Sequence, residues 1–218
     1  MDNLLHKFNF NYFENGIENK ISNYKNYIWR EKLILERVKH FISELNIRKN
    51  MKILDFGCAK GYYVRAFREL GYNAFGIDAS EYAYDNSDSS VKDYLTFSLY
   101  PEEILKIFKG SRFDIVISKD TLEHIPSDSI KEYLKIFSRI SNFLLCIVPI
   151  TQNKDGKYIN HSDNIDITHI IKFTKFGWIK FLSKYGNVQE LPTLCKKIKN
   201  GLHIGSLCLL TDFRNRQS

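Results

Sequence analysis

The chain has 218 residues, of which 44% are hydrophobic, and carries a formal net charge of +7 through lysines spread along its length. This composition is enough for one sizeable core, excludes a membrane span because no apolar run approaches ~18 residues, and permits an anionic partner without requiring one. Four cysteines without CxxC spacing and a polar start, MDNLLHKFNFNYF, predict reduced thiols in a cytoplasmic protein without a leader peptide.

The predicted elements alternate between helices and strands after an irregular or partly helical start. Residues 1 to about 25 are rich in Asn, Tyr and Phe without a clear period. A helix is predicted from Tyr27, because apolar residues recur there at helical spacing up to Leu45. Strands follow at 51–56, 73–77 and 93–97, with a helix closed by Gly71 between the first two and a short helix opened by Pro101 after the third.

The second half continues the alternation. A strand at 113–118 precedes a helix capped by Ser127 or Asp128, and the continuous apolar run 142–148 predicts a strand buried on both faces. A last helix is predicted from Thr174 to Tyr185, and a closing strand at 203–210 pairs with one near 188–191. The basic tract 195–199 between them is interpreted as a solvated hairpin rather than an RNA or phosphate contact. Such alternation predicts a parallel sheet with helices on both faces and ligands beyond the carboxyl ends of its strands.

The stretch DFGCAKG, directly after the first strand, combines an acid with two glycines in a tight turn. A dinucleotide fingerprint needs glycines at positions 57, 59 and 62, but the chain has Ala59 and Tyr62. A P-loop also fails, because Gly61 follows the lysine where Ser or Thr is needed. Asp55 would repel a pyrophosphate and suits a ligand with an ammonium or sulfonium centre. The alternative is that the glycines serve helix–strand packing alone.

A second acid, Asp78 in GIDAS, ends the second strand, where its carboxylate can accept two ribose hydroxyls. Asp55, the glycine turn and Asp78 together fit a ligand that consists of a nucleoside joined to a cationic amino acid. Here the sequence resembles the class I S-adenosylmethionine (SAM)-dependent methyltransferases. ILDFGCAKG resembles their first motif, GIDAS their second, FDIVISKDTLEHI their fourth strand region, and 166–186 the segment before their last helix. The resemblance covers roughly residues 50 to 210.

The resemblance implies a Rossmann-like α/β fold: a doubly wound, mostly parallel sheet of seven strands in the order 3-2-1-4-5-7-6, the last strand antiparallel, with helices on both faces. It implies SAM as cofactor and S-adenosylhomocysteine as product, with Asp55 and the turn on the methionyl part and Asp78 on the ribose. The usual acid after the third strand is replaced by Ser98, unless Asp93 serves. The cofactor-binding residues so implied are Asp55, Gly57, Cys58, Ala59, Gly61, Asp78, Ala79, Ser98, Ser118 and Lys119.

Candidate residues for the transfer step lie in SKDTLEHIP, after the fourth sheet strand in chain order. An alcohol acceptor needs its proton removed, or its oxygen made more acidic by a metal. Asp120, Glu123 and His124 follow i, i+3, i+4 spacing, so a helical turn would place them on one face. His169 lies in the long polar loop after the fifth strand, and Lys119 is expected to be solvated.

This pattern is similar to the acid–acid–histidine sites of ubiquinone-pathway O-methyltransferases and of a class of RNA 2′-O-methyltransferases, with Asp120 in place of the first Glu. The likeness implies a catalytic, divalent-metal site at Asp120, Glu123, His124 and His169. Two alternatives stay open. His124 or His169 acts as a metal-free general base, or these residues only support the turn.

Residues 1–48 are predicted to be an N-terminal lead-in and helix that cap the active site, and 49–212 a SAM-binding methyltransferase domain, within a single domain overall. The loop 150–172 and the aromatic lead-in are predicted to form the acceptor pocket. The alternative is that the lead-in aromatics pack the first helix onto the sheet. The stretch 24–30 resembles family members of bacterial surface-polysaccharide and secondary-metabolite pathways.

The leading functional prediction is therefore a SAM-dependent methyltransferase. Its acceptor would be a small molecule, methylated on a hydroxyl of a sugar, polysaccharide precursor or secondary metabolite. An RNA 2′-O-methyltransferase is the alternative that the net charge of +7 and the acid–histidine spacing favour. A non-catalytic SAM-binding partner subunit is a third reading.

Overall fold

A seven-stranded sheet forms the centre of the computed structural model, which describes residues 6–98, 100–154, 156–199 and 202–214. The strands lie in the order β3-β2-β1-β4-β5-β7-β6, with β7 antiparallel to both neighbours and the other pairs parallel. This confirms the predicted order. The strands are β1 (Lys52–Phe56), β2 (Asn73–Asp78), β3 (Leu95–Phe97), β4 (Phe113–Lys119), β5 (Ser141–Pro149), β6 (Asn187–Glu190) and β7 (Ser206–Asp212).

Helices cover both faces of the sheet. One core contains side chains of α5, α6 and α7, and the other contains side chains of α2, α3 and α8. Along β5, Leu144 and Val148 belong to the first core while Leu145 and Ile147 belong to the second, as expected for a strand buried on both faces. The α-helices in the described residues are α1 (Phe10–Glu14), α2 (Glu31–Glu44), α3 (Tyr62–Glu69), α4 (Glu81–Asp85), α5 (Pro101–Ile107), α6 (Ser127–Ile140), α7 (Lys175–Leu182) and α8 (Pro192–Lys199).

Two helix starts differ from the predictions. Helix α2 begins at Glu31 rather than Tyr27. Helix α6 is preceded by Pro126 as its N-cap, without a side-chain cap, so the predicted cap by Ser127 or Asp128 is wrong. Helix α7 was predicted over Thr174 to Tyr185 and runs from Lys175 to Leu182, with Thr174 as its N-cap, because Thr174 Oγ1 accepts the Gly177 N–H at 3.1 Å.

The basic tract at 195–199 is a helix, and the predicted solvated hairpin is wrong. Pro192 is the first helical residue of α8, and Leu194, Cys195 and Ile198 are buried in the core beside α2 and α3. These apolar positions share one helical face, so burial fixes the helix even though lysines occupy the other positions. Its last residue, Lys199, turns towards the carboxyl end of β4, where it pairs with Asp120.

The N-terminal segment, residues 6–30, lies across the loops that follow β1 and β2. Glu14 in α1 forms an ion pair with Lys60 at 2.6 Å and accepts a hydrogen bond from the Tyr82 hydroxyl at 3.0 Å. The Ser80 hydroxyl donates to the Phe8 carbonyl at 2.6 Å. The segment is thus fixed to the loops after both strands. Residues 1–5 of the predicted lead-in lie outside the described residues.

All four cysteines are free and buried: Cys58, Cys146, Cys195 and Cys208. Within the described residues, no helix combines the length and the apolarity that crossing a bilayer demands.

The starts of α7 and α6, one with a side-chain cap and one without, make a matched pair for a stability test. Replacing Thr174 by Ala removes a side-chain cap and should lower the free energy of unfolding by about 1 kcal/mol. The change Ser127→Ala removes a hydroxyl that caps nothing, so it should stay within about 0.5 kcal/mol of the wild type. Urea denaturation of both variants measures the difference. A loss for Ser127→Ala equal to that for Thr174→Ala would contradict the assignment of the caps.

Candidate active site

A pocket opens at the carboxyl ends of the parallel strands, where the loops after β1, β2, β3 and β4 meet. The N-terminal segment forms its opposite wall, which is largely aromatic. The lining contains Phe8, Tyr12, Phe13, Tyr24, Phe56, Gly57, Ala59, Ile77, Asp78, Ala79, Ser98, Ile104, Asp120, Thr121, His124, Ile125, Pro126 and Tyr133.

The glycine turn after β1 is shaped by close packing as well as by the pocket. Gly57 and Gly61 both have φ of +79°, in the left-handed region that favours glycine. A Cβ on Gly57 would lie 2.3 Å from Thr121 Oγ1, and one on Gly61 would lie 2.6 Å from Leu95 Cδ1. Packing against the loop after β4 and against β3 therefore demands both glycines, and Gly57 also lines the pocket.

The Asp78 carboxylate joins the glycine turn to the end of β2. Its Oδ2 accepts the Ala59 N–H at 2.7 Å, and its Oδ1 accepts the Ser80 N–H at 2.8 Å. Burial raises the pKa of Asp78, and these backbone hydrogen bonds oppose that rise. Each carboxylate oxygen has a second lone pair, so Asp78 can still accept hydroxyl donors from a ligand in the pocket.

Asp55 lies beneath this turn, and its side chain is buried. Burial, together with the nearby Asp78 carboxylate, raises the pKa of Asp55 to about 7, against the opposing effect of Lys119. A cation placed beside Asp55 would reverse that rise.

Some predicted cofactor residues lie outside the pocket lining. Ser118 is fully buried inside β4, and its Oγ has no hydrogen-bond partner among the described residues. Cys58 is buried against Gly76, where an added Cβ would lie 2.7 Å from its Sγ. The predicted cofactor residues outside the lining are Asp55, Cys58, Gly61, Ser118 and Lys119, whereas Gly57, Ala59, Asp78, Ala79 and Ser98 lie in it.

The edge of the pocket after β3 has a carboxylate nearby, supplied from an unexpected position. Ser98 lines the pocket, and its Oγ donates to Glu103 Oε2 at 2.6 Å. Glu103 belongs to the first turn of α5, whereas the alternative acid Asp93 is exposed. Glu103 could have been found in the sequence from its position three residues after the N-cap Tyr100, which is the spacing of a capping box.

Asp120 does not lie on a helical face with Glu123 and His124, so this part of the prediction is wrong. Asp120 has φ of +52° and precedes a short 3₁₀ turn, Leu122–His124. Its carboxylate pairs with the ammonium groups of Lys119 and Lys199. These two cations lower the pKa of Asp120 against the effect of burial.

Lys119 is not solvated, because its side chain is only 17% exposed. Burial alone would lower the pKa of Lys119, but the Asp120 carboxylate outweighs burial and raises it. Lys119 therefore stays charged as the partner of Asp120. No local pattern marks Lys199 as the second partner, because the tract that contains it is interpreted from its composition as a solvated hairpin.

Glu123, His124 and His169 form a cluster whose potential ligand atoms all lie within 4.8 Å of one another. The backbone carbonyl of Glu123 accepts the N–H groups of Ile170 and Ile171, which brings the loop after β5 to this point. Asp120 is not part of the cluster. The loop 150–172 contributes His169 behind His124, but it contributes none of the described lining residues of the pocket.

Hydrogen bonds fix which nitrogen of each histidine carries the proton. His169 Nδ1 lies 2.8 Å from the Asp163 carbonyl, which can only accept, so Nδ1 donates. His124 Nδ1 lies 2.7 Å from Thr168 Oγ1, which itself donates to Asp166. Nδ1 of both rings therefore carries a proton, which leaves Nε2 as the nitrogen that can bind a metal ion.

Burial is the main cause of the pKa shifts of Glu123 and His124 in this cluster. Glu123 is fully buried, and neither carboxylate oxygen has a hydrogen-bond partner among the described residues. Burial, with the Asp120 carboxylate nearby, raises the pKa of Glu123 well above its usual value. Burial, with His169 beside it, lowers the pKa of His124 to about 4, which keeps the imidazole neutral. A buried carboxylate without a hydrogen-bond partner, beside the neutral His124 ring and the His169 ring, is a donor set that fits a divalent cation.

The aromatic residues of the lead-in divide between the pocket lining and the packing on α3. Tyr12 and Tyr24 line the pocket. Tyr27 and Trp29 instead pack on the Tyr62 ring of α3, with ring centroids 5.2 and 5.9 Å apart. Arg30 is the N-cap position of α2.

A family model described as a methyltransferase domain matches residues 28–187, well over half of the chain. The chain belongs to the methyltransferase domain family. The ubiquinone biosynthesis O-methyltransferase of Pelagibacter ubique is 27% identical to it over 169 residues, which cover 73% of this chain and 68% of that protein.

Solved structures share the fold of this methyltransferase. A SAM-dependent methyltransferase from Archaeoglobus fulgidus has a TM-score of 0.62 at 17% identity, over 83% of this chain and 93% of that one. The N-terminal domain of EvdMO1 with SAH bound has a TM-score of 0.59 at 14% identity, over 83% and 81% of the two chains. The enzyme is a SAM-dependent methyltransferase, as the sequence resemblance implied, with SAM as its cofactor.

The packing of Gly57 gives a stability prediction for this methyltransferase. Alanine at position 57 or at Gly110, which has φ of +75°, should cost about 1–2 kcal/mol of unfolding free energy in left-handed strain. At Gly57 the new Cβ also meets Thr121, which adds about 1–3 kcal/mol, whereas Gly110 has no atom within 4 Å of the added Cβ. Urea denaturation should therefore show the larger loss for Gly57→Ala. Equal losses would contradict the close approach to Thr121.

Proposed function

We propose that the methyltransferase binds SAM in this pocket and moves its methyl group to a hydroxyl oxygen of a small-molecule acceptor. The Asp78 carboxylate, on the lining and with spare lone pairs, would accept the ribose hydroxyls. The turn from Gly57 to Gly61 would hold the methionyl part, with Asp55 beneath it as the compensating anion. The single observation that carries this placement is the Asp78 carboxylate, held at the pocket by the turn itself.

The pocket lining supports a small acceptor with at least one apolar face. The N-terminal segment contributes the rings of Phe8, Tyr12, Phe13 and Tyr24, and the described lining contains no lysine or arginine. Aromatic walls suit a sugar ring or an aromatic metabolite and offer no counter-charge to a phosphate backbone. The relative from Pelagibacter ubique, named an O-methyltransferase, supports oxygen as the methylated atom.

We propose that Glu123, His124 and His169 hold a divalent cation at the acceptor side of the pocket. The orphaned Glu123 carboxylate and the two Nε2 lone pairs are the observations that fit it. Such a cation, when bound, makes the hydroxyl of an acceptor more acidic. His124 lies on the lining, so it is the member of the cluster that an acceptor meets first.

The other parts of the chain would orient the reactants. SAM itself supplies the activated methyl group, so rate depends strongly on alignment of the acceptor oxygen with the sulfonium. The N-terminal segment covers the pocket and excludes water from it. Asp120, neutralised by its two lysines, would shape the turn that carries Thr121 and His124 rather than bind the cation.

An RNA 2′-O-methyltransferase is the second candidate, and the Glu123–His124–His169 cluster is the observation that favours it. Binding to an RNA would weaken steeply as salt rises, because phosphate contacts release counterions. Binding of a small acceptor should be nearly independent of salt. Transfer assays with a short RNA and with hydroxylated small molecules, at several salt concentrations, separate the two.

Cofactor binding should release a proton from Asp55. Burial and the Asp78 carboxylate raise the pKa of Asp55 to about 7 in the free protein, against the effect of Lys119. A cationic ligand favours the carboxylate and lowers this pKa, so binding at pH 6 should release approximately one proton. Affinity should rise as the pH is raised through about 7 and then level off.

Calorimetry of S-adenosylhomocysteine binding, in two buffers with different ionisation enthalpies, measures that proton. The variant Asp55→Asn, which has no proton to lose, is the control and should show no difference between the buffers. A wild-type enthalpy that is the same in both buffers at pH 6 would rule out Asp55 as the anion beside the methionyl part.

The acceptor site can be tested with cluster variants. His124→Ala, His169→Ala and Glu123→Gln should each lower methyl transfer by about 100-fold or more, because the step on the acceptor hydroxyl fails. His161→Ala is the matched control, since His161 is an exposed histidine of the same loop and not part of the cluster. Bound metal, measured by mass spectrometry, should fall with the three cluster variants and not with the control. Activity that survives chelation and Glu123→Gln, but not His124→Ala, would replace the metal site by a metal-free base.

A further inference from the structure

A continuous run of hydrogen bonds connects the N-terminal segment with the ring of His124. The Tyr12 hydroxyl donates to Asp166 Oδ2 at 2.9 Å, and Thr168 Oγ1 donates to Asp166 Oδ1 at 2.5 Å. His124 Nδ1 donates to Thr168 Oγ1 at 2.7 Å. All four side chains are buried, with exposures of 4% for Tyr12, 7% for Asp166, 1% for Thr168 and 7% for His124. Water therefore has little access to compete for these bonds.

The direction of each bond in this run is fixed by chemistry. A carboxylate can only accept, so both the Tyr12 and the Thr168 hydroxyl must give their protons to Asp166. The Thr168 N–H adds a third bond to Asp166 Oδ1 at 2.9 Å. Because the Thr168 hydroxyl donates its own proton to Asp166, it can only accept a hydrogen bond from His124 Nδ1. The run thus selects one tautomer of His124, the one with its lone pair on Nε2.

We propose that Tyr12, Asp166 and Thr168 are positioning residues that couple closure of the N-terminal segment over the pocket to the tautomer and orientation of His124. This inference rests on the proposed role of His124 at the acceptor site. Tyr12 is the sole member of the run that belongs to the segment. When the segment moves away from the pocket, Asp166 loses the hydrogen bond from Tyr12 and becomes open to water. Its hydrogen bond with the Thr168 hydroxyl then weakens.

The packing around His124 supports the same coupling. The Phe8 ring meets the His124 ring edge-on, with centroids 5.4 Å apart, and Tyr12 meets it at 6.5 Å. On another side His169 packs at 4.6 Å. The N-terminal segment therefore supplies both a hydrogen bond to the run and an apolar contact to the ring that the run orients. His124 is held in its reactive form when the pocket is covered, which keeps transfer and water exclusion together.

The test removes single atoms from the run and reads the tautomer directly. In protein labelled with ¹⁵N-histidine, NMR should show His124 with its proton on Nδ1, the resonance being assigned by its loss in His124→Gln. Thr168→Val removes the accepting hydroxyl and should shift His124 to a mixture of tautomers, while Thr168→Ser should restore the wild-type signal. In Thr168→Val, kcat should fall about tenfold with little change in KM for SAM.

Tyr12→Phe tests the link to the segment while keeping every ring contact. It should change the His124 signal in the same direction as Thr168→Val and lower kcat by about three- to tenfold. Tyr82→Phe loosens the same segment from another point, because the Tyr82 hydroxyl donates to Glu14 at 3.0 Å and lies outside the run. It should shift the His124 tautomer in the same direction as Tyr12→Phe. Tyr63→Phe is the matched control, because the Tyr63 hydroxyl accepts a hydrogen bond from Arg37 and belongs neither to the segment nor to the run. It should leave the His124 tautomer unchanged.

The outcomes separate this inference from the proposed function. A wild-type tautomer and wild-type kcat in both Thr168→Val and Tyr12→Phe would overturn the coupling, and so would an equal tautomer shift in Tyr63→Phe. If Thr168→Val fails to fold, as circular dichroism would show, Tyr12→Phe alone decides. The tautomer is read without any transfer assay, so failure of S-adenosylhomocysteine to bind the wild type would sink the proposed function and leave the tautomer result standing.

Discussion

The Asp78 carboxylate is the interaction on which the arrangement of the site depends. It accepts one N–H from the glycine turn and one from the loop after β2, so it holds two loops of the sheet edge in register. Ser80, whose N–H it accepts, passes the constraint on through its hydroxyl to the Phe8 carbonyl. The turn, the second loop and the N-terminal segment are therefore positioned by one half-buried acid. The left-handed conformations of Gly57, Ala59 and Gly61 bring the turn to that acid.

The fold was largely predictable because the strands are either fully apolar or bounded by breakers. The run at β5 has no polar interruption, and such a run requires cover on both faces. Helix α8 escaped prediction because its lysines dominate the composition of the tract, although Leu194 and Ile198 keep helical spacing. The α6 cap was misassigned because Ser and Asp favour caps in general, while Pro126 ends the preceding turn and takes the cap position itself.

The site was predictable where it follows from strand ends, and not where it depends on long-range contacts. Asp78 and the glycine turn follow directly from strand ends and turn chemistry. Asp120 was misplaced because α-helical spacing was assumed, whereas a left-handed residue turns the chain there and two lysines hold its carboxylate. One of those lysines, Lys199, is 79 positions away, and Tyr12 is 154 positions from Asp166. No local pattern reports such pairs.

The two walls of the pocket come from parts of the chain with different roles in the fold. One wall consists of the loops after β1 to β4, whose geometry is dictated by the sheet, so substitutions there disturb the fold itself. The opposite wall comes from a segment that precedes the first strand and contributes no strand to the sheet. Its rings can change size and polarity without altering strand register. In evolutionary terms, the twenty-five residues from 6 to 30 can therefore diverge between relatives while the glycine turn and Asp78 are inherited unchanged, and under the proposed function such divergence exchanges one acceptor for another.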